Sequence, residues 1–205
     1  MISILSAVVA LFLAQPAHPL DYYAYAQQWP NGACMNPAKK CNAQLPTTFT
    51  IHGLWPSNIV KPHPDSCAKS FNSSLINSLV PQLSNVWPNI EKGNTNVRFW
   101  GYEWNKHGSC SPFSQYNYFN HAISLYNQNN LMSMLAAQNI LPNGTSHPPQ
   151  DFINAIQLDV HVQPLLVCVN RNYLAEIHLC FDAAASIHIN CPRPSSPTCS
   201  NSVIF

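Results

Sequence analysis

The chain has 205 residues with nine lysines and arginines against eight acidic residues, a formal net charge of +1, and only 8% of its residues are charged. The length suits one domain with a sizeable core. The charged fraction is far below the roughly 25% usual for soluble domains, so the polar surface must come from Asn, Ser, Gln and Thr, and from sugar. No internal repeat marks a second domain, and no segment after the first twenty residues has transmembrane length.

In chain order, Ile2–Ala14 is an apolar run broken only by Ser3 and Ser6. It reads as the core of a signal peptide over residues 1–20, with a mature start near 18–22 and a mature domain over 21–205. Thr47–Leu54 is rich in β-branched and aromatic residues and predicts a strand. Ser73–Leu83 has Leu75, Leu79 and Leu83 at helical spacing, with Pro81 expected to kink or end the helix. Tyr116–Tyr126 predicts a helix with Phe119, Ile123 and Tyr126 on one face. Leu131, Met134 and Leu135 continue that spacing behind Asn129 and Asn130 as caps. Gln150–Gln157 predicts a short helix. Pro164–Val169, Tyr173–Phe181 and Ile187–Cys191 predict strands, with Asn170-Arg171-Asn172 as a turn. The Pro-rich stretches Lys61–Pro64, His147–Pro149 and Pro192–Pro197 read as loops or tail. The order strand, helices, strands predicts an α+β single domain: a mainly antiparallel sheet with packed helices, stabilised by disulfides.

Cys34, Cys41, Cys67, Cys110, Cys168, Cys180, Cys191 and Cys199 make an even set behind an apparent export signal, which implies disulfides and a secreted, extracellular protein. Counting alone does not choose the pairing. Zinc fits poorly, since the spacings are irregular and no C-x-x-C occurs. The triplets Asn72-Ser73-Ser74 and Asn143-Gly144-Thr145 are glycosylation acceptors by pattern. Between Cys34 and Cys110 lie seven basic residues (Lys39, Lys40, Lys61, Lys69, Lys92, Arg98 and Lys106) against Asp65, Glu91 and Glu103. That mild excess suits a polyanion without requiring one.

Two segments concentrate chemistry: Thr50-Ile51-His52-Gly53-Leu54-Trp55-Pro56-Ser57, and Phe99-Trp100-Gly101-Tyr102-Glu103-Trp104-Asn105-Lys106-His107-Gly108-Ser109-Cys110. Each sets ionisable groups among aromatics, which exclude water and stack on bases, and glycines, which permit close backbone approach. If the second is helical, Glu103 and His107 share a face. Two imidazoles, titrating near about pH 6.5, suit the base and the acid of metal-free RNA cleavage, with a cation to steady the phosphorane. Taken singly, His52 reads rather as a satisfied histidine at a strand end, His107 as a partner of Glu103, and Lys106 as a solvated lysine. His18, His63, His121, His147, His161, His178 and His188 read as structural or surface, although His178 and His188 fall in neighbouring strands where a metal pair is conceivable.

Together the two segments resemble the active-site motifs of the ribonuclease T2 family, and the match extends from Gln28-Trp29-Pro30 through the cysteine framework to Cys199. The resemblance implies an endoribonuclease that cuts single-stranded RNA, not DNA, through a 2′,3′-cyclic phosphate, with no metal and no cofactor. It implies His107 as general base, His52 as general acid, and Lys106 and Glu103 as stabilisers of the pentavalent phosphate. Trp55 and Ser57 would border one base pocket, Gln28 and Phe99 another. The implied bridges are Cys34–Cys41, Cys67–Cys110, Cys168–Cys199 and Cys180–Cys191. Tyr102 departs from many members, which place a phosphate-binding histidine there; it would offer a neutral hydrogen bond instead. Members that favour adenine often have Asp where Ser57 stands, so no base preference is read.

Within the family the layout is most similar to the plant self-incompatibility ribonucleases (S-RNases), which act in the style. That would make a pollen-side F-box protein a partner and the monomer the expected state, with no membrane association. The loop Asn58–Ser70 lies where that branch varies. The alternatives are an S-like ribonuclease for phosphate recovery or defence, and an inactive binding or storage relative, which the intact His52, His107, Lys106 and Glu103 argue against.

Overall fold

The computed structural model describes residues 20–60, 63–192 and 198–205. The expected signal segment with His18, part of the Lys61–Pro64 loop and most of the Pro192–Pro197 tail lie outside these residues. In chain order the elements are β1 (Tyr22–Gln28), α1 (Pro30–Ala33), β2 (Thr50–Ser57), a 3₁₀ stretch (Ser73–Leu79), α2 (Val80–Val86), α3 (Asn96–Lys106), α4 (Gln115–Gln128), α5 (Leu131–Ala136), β3 (Ser146–His147), α6 (Pro149–Val160), β4 (Leu165–Val169), β5 (Tyr173–Asp182), β6 (His188–Ile189) and β7 (Val203–Ile204). A short 3₁₀ turn, Gly108–Cys110, follows α3.

The sheet runs β2-β1-β5-β7-β3, with β4 and β6 also paired to β5. All pairings are antiparallel except a single parallel contact, Tyr173 with Ile204. Alternation along the strands separates two faces. Tyr23, Tyr25, Ile51, Leu54, Ile177, Leu179 and Phe181 join the helical residues Tyr118, Phe119, Ala122 and Phe152 in the main core. Tyr22, Ala24, Cys180 and Cys191 form a second cluster against Trp55. The α+β, mainly antiparallel expectation matches this architecture.

Several predicted elements move. The strand expected over Thr47–Leu54 runs three residues later. Ser73–Leu83 is not one helix: it is 3₁₀ to Leu79, and Pro81 sits in the first turn of α2, where its missing N–H costs nothing. α5, by contrast, begins where expected, behind Asn130, whose side chain accepts from the Ser133 amide. The strand expected over Ile187–Cys191 shrinks to two residues. Asn170 and Arg171 both take positive φ (49° and 66°) and turn β4 into β5. The four disulfides join Cys34–Cys41, Cys67–Cys110, Cys168–Cys199 and Cys180–Cys191.

One irregularity in the β1–β2 ladder shapes the sheet beside α3. Ala26 pairs with Gly53 and Gln27 with Ile51, so His52 is an extra residue in β2, a β-bulge. A bulge leaves one residue out of the ladder and re-aims its side chain. The His52 carbonyl, left without a strand partner, accepts from Trp87 Nε1 at 2.9 Å, and the Trp87 carbonyl accepts from Trp100 Nε1 at 2.8 Å. Trp87→Phe removes that donor and strands a part-buried carbonyl, so we expect it to destabilise the fold by about 1–3 kcal/mol. Urea unfolding measures this, and a loss well under ~0.5 kcal/mol would show that the bulge does not depend on the indole.

Candidate active site

The bulge places His52 beside α3. That helix starts at Thr95, whose hydroxyl accepts from the Arg98 amide, and it buries Trp100, Glu103 and Trp104. Trp104 donates to the Lys69 carbonyl. Its last residue is Lys106, and His107 has left helical geometry (φ −121°, ψ −59°). The expected shared face of Glu103 and His107 is therefore not formed: the link between them is the backbone bond from the His107 amide to the Glu103 carbonyl. Cys67–Cys110 and the Ser66 amide, donating to the Lys106 carbonyl, fasten the loop after β2 to the end of α3.

The Glu103 carboxylate turns to β2 instead. It is 1% exposed, accepts from Trp55 Nε1 at 2.9 Å, and lies 3.9 Å from His52 Nε2. Gly53 makes room for this: a Cβ there would collide with both Trp55 Nε1 and Glu103 Oε2. The Trp55 ring stands edge-on to His52 at 5.1 Å and tilted over His107 at 5.3 Å. The two imidazoles thus lie against one indole.

Their environments differ in sign. Burial alone would lower the His52 imidazolium, but the charge and hydrogen bond of Glu176, with Glu103 behind it, outweigh that and raise its pKa above the usual 6.5. Burial, reinforced by the Lys106 charge, lowers His107 to about 4. Burial raises Glu103 above the usual carboxylate range against the pull of His52 and Trp55. A pair of titratable groups pushed apart in this way is equipped as one acid and one base.

Glu176 was not among the expected site residues. It lies on β5, 124 residues from His52, with Oε1 2.6 Å from His52 Nδ1 and Oε2 2.7 Å from His178 Nε2. The Val167/Cys168 irregularity in the β4–β5 ladder lies next to it. Its only sequence signal was an acid and a histidine two apart in an otherwise apolar strand. His178 is not paired with His188, whose Nε2 reaches Asn129 Oδ1 at 2.9 Å. Among the described residues no cluster of three or more His, Cys, Asp or Glu is grouped as a metal would need.

A cleft of about 440 Å³ opens beside His52, lined by Gln28, Lys39, Asn89, Arg98, Phe99 and Tyr102 among others. Phe99 lies tilted on the His52 ring at 6.0 Å. Gln28 is buried, and its Nε2 has no hydrogen-bond partner among the described residues, leaving a donor for whatever enters. Tyr102 is 55% exposed on the cleft wall, and its hydroxyl accepts from Lys106 Nζ at 3.1 Å, which keeps that ammonium at the rim and raises its pKa. Ser57, expected at a base pocket, is buried outside the lining of this cleft, and its hydroxyl donates to the Trp55 carbonyl. Asn72 and Asn143 are exposed, each accepting from the hydroxyl two residues on.

The chain is similar to known proteins over nearly all of its described length. A family model described as the Ribonuclease T2 family matches residues 20–191. Ribonuclease S-1 of Pyrus pyrifolia is 32% identical over 204 residues, covering 94% of this chain and 90% of that protein. Extracellular ribonuclease LE of Solanum lycopersicum is 30% identical, covering 95% and 90%. The crystal structure of RNase NT in complex with 5′-AMP superposes with a TM-score of 0.83 at 29% identity, covering 92% of this chain and all of that one.

Gly53→Ala should push Trp55 and Glu103 apart. We expect a loss of about 1–3 kcal/mol in stability, as for other overpacked sites, and displacement of the Trp55 indole N–H resonance. An unmoved indole signal with unchanged stability would contradict the close approach.

Proposed function

The chain belongs to the Ribonuclease T2 family and is a ribonuclease; on that premise we propose that it cleaves single-stranded RNA with His107 as general base and His52 as general acid, without a metal ion. His107 takes the 2′-hydroxyl proton. The 2′-oxygen bonds to phosphorus, the bond from phosphorus to the 5′-oxygen breaks, and that oxygen receives the proton from His52 Nε2. The products are a 2′,3′-cyclic phosphate and a 5′-hydroxyl.

The observation that carries these roles is the opposed shift of the two imidazoles. Between the lowered value of His107, about 4, and the raised value of His52, the first is mainly free base and the second mainly charged. In the middle of that window most molecules hold the competent pair. With the roles exchanged, only about a few in a thousand would, given a separation of more than two units. Glu103, with its raised pKa, holds a proton more readily than an ordinary carboxyl and so suits donation to a phosphoryl oxygen, while Lys106 supplies charge from the rim. Gln28 and Phe99 suit a base in the cleft, one by donation and one by stacking.

We place the protein outside the cell, in keeping with its four disulfides and its leading apolar run. Its biological role is proposed as style-side self-incompatibility, with the pollen-side F-box protein as partner of a monomer. The likeness to Ribonuclease S-1 and the exposed Ile59 and Val60 in the loop after β2 support this. The likeness to extracellular ribonuclease LE supports the S-like role instead. Transcript confined to the style favours the first; transcript induced in starved leaf rejects it.

The acid and the base separate by leaving group. On ordinary RNA with a chelator present, His52→Ala and His107→Ala should each lose roughly 10²-fold or more in kcat. On a substrate whose 5′-oxygen is replaced by sulfur, the thiolate leaves without protonation. There His52→Ala should recover most of its loss and His107→Ala should not. Recovery by His107→Ala alone would reverse the assignment, and loss of wild-type cutting in the chelator would sink the metal-free mechanism.

A further inference from the structure

One largely enclosed carboxylate has no part in the proton transfers. Glu176 sits on the sheet face with its side chain 15% exposed, and both its oxygens are committed to imidazoles, His52 through Nδ1 and His178 through Nε2. A buried carboxylate is costly unless paired and hydrogen-bonded. This one meets that requirement with the residue the reaction needs and with a second histidine from its own strand.

We propose that Glu176 is the positioning residue of the general acid, holding His52 with a proton on Nδ1 and Nε2 turned to the substrate, and that His178 sets its grip by sharing the carboxylate. The inference rests on His52 acting as the acid. A carboxylate accepting from Nδ1–H fixes the tautomer, fixes the ring plane and stabilises the imidazolium. The geometry supports each part. Oε1 and His52 Nδ1 are at 2.6 Å, so Nε2 is the nitrogen left on the Glu103 side, 3.9 Å from Oε1 of that residue. The bulge that frees His52 and the ladder irregularity beside Glu176 lie on β2 and β5, which flank β1 on either side. Across β1, Gln28 pairs with both Thr50 of β2 and Glu176 of β5, so backbone register fixes the separation.

His178 is held in turn. It is 9% exposed, and its ring stands edge-on to Trp55 at 5.3 Å. The contacts therefore close on themselves: Glu103 to Trp55, Trp55 to His178, His178 to Glu176, Glu176 to His52, and His52 back to Glu103. The charged and titratable groups facing His52 are Glu176 and His178 from β5, Glu103 from α3, and Lys39, whose charge opposes protonation. His107 feels His52 from beyond Trp55.

The proposal predicts opposite signs for two substitutions. Glu176→Gln keeps the shape but removes the charge that favours protonated His52. The alkaline limb of kcat/KM should move down by about one unit or more, so kcat/KM on the alkaline side of that limb falls about tenfold or more with KM little changed. His178→Phe keeps a ring against Trp55 but removes a donor from Glu176. The carboxylate then bears harder on His52, and the same limb should move up, whichever charge His178 carries. The acid limb, set by His107, should stay in both. On the substrate with a sulfur leaving group, Glu176→Gln should recover most of its loss.

A folded Glu176→Gln with an unmoved alkaline limb overturns the proposal, as do shifts of the same sign in both variants. If Glu176→Gln does not fold, His178→Phe carries the test alone, and an unmoved or lowered limb overturns it. Failure of the underlying reading looks different: His52→Ala would then gain nothing from the sulfur substrate.

Discussion

An antiparallel strand has no position for a side chain that must face a helix, a neighbouring strand and a substrate together. β2 solves this with one extra residue. Ile51 and Leu54 are both in the main core, three apart where regular alternation allows two or four. The residue inserted between them is His52. Its release has consequences that the neighbours absorb: Trp87 caps the orphaned carbonyl, Gly53 gives up its side chain to let Trp55 reach Glu103, and Glu176 takes the free imidazole nitrogen. Each of these residues looks over-specified until the bulge is seen, and each then answers a particular unsatisfied group.

Two histidines of the same chemistry become different reagents through what surrounds them. His52 has carboxylates on both sides, whereas His107 has an ammonium on the preceding residue, which outweighs the opposing charge of Asp65. Desolvation acts on both imidazoles in the same direction, so the difference is made by fixed charge. This explains why Lys106 and His107 can be adjacent in sequence. In the proposed mechanism a cation beside the base keeps it unprotonated at acid pH while remaining available to the phosphate.

Much of the site was legible in the sequence, because the two motif segments are short and carry their partners close by. His52, Glu103 and His107 come together around the Trp55 indole, Lys106 lies on Tyr102 at the rim, and Phe99, Tyr102 and Gln28 line the adjoining cleft. α4 was legible too, since its apolar residues recur along one face. β1 was not: all seven of its residues are buried, between two strands and under both faces, so Tyr-Tyr-Ala-Tyr-Ala-Gln-Gln shows no alternation. Glu176 was hidden for the opposite reason. In a strand that alternates well, an acid and a histidine opposite the apolar side read as a solvent face, and only the fold reveals that this face is covered. Ser57 was carried by motif alone; it is buried, and its hydroxyl donates to the Trp55 carbonyl.

The central claim is that His52 and His107 titrate on opposite sides of the working pH. The direct measurement is an NMR titration of the two imidazole C2–H signals, assigned with the His52→Ala and His107→Ala proteins, from about pH 3 to 9. The account predicts that His107 titrates near about 4 and His52 above the ordinary imidazole value of 6.5. Two midpoints within half a unit of each other, or His107 titrating above His52, would contradict it.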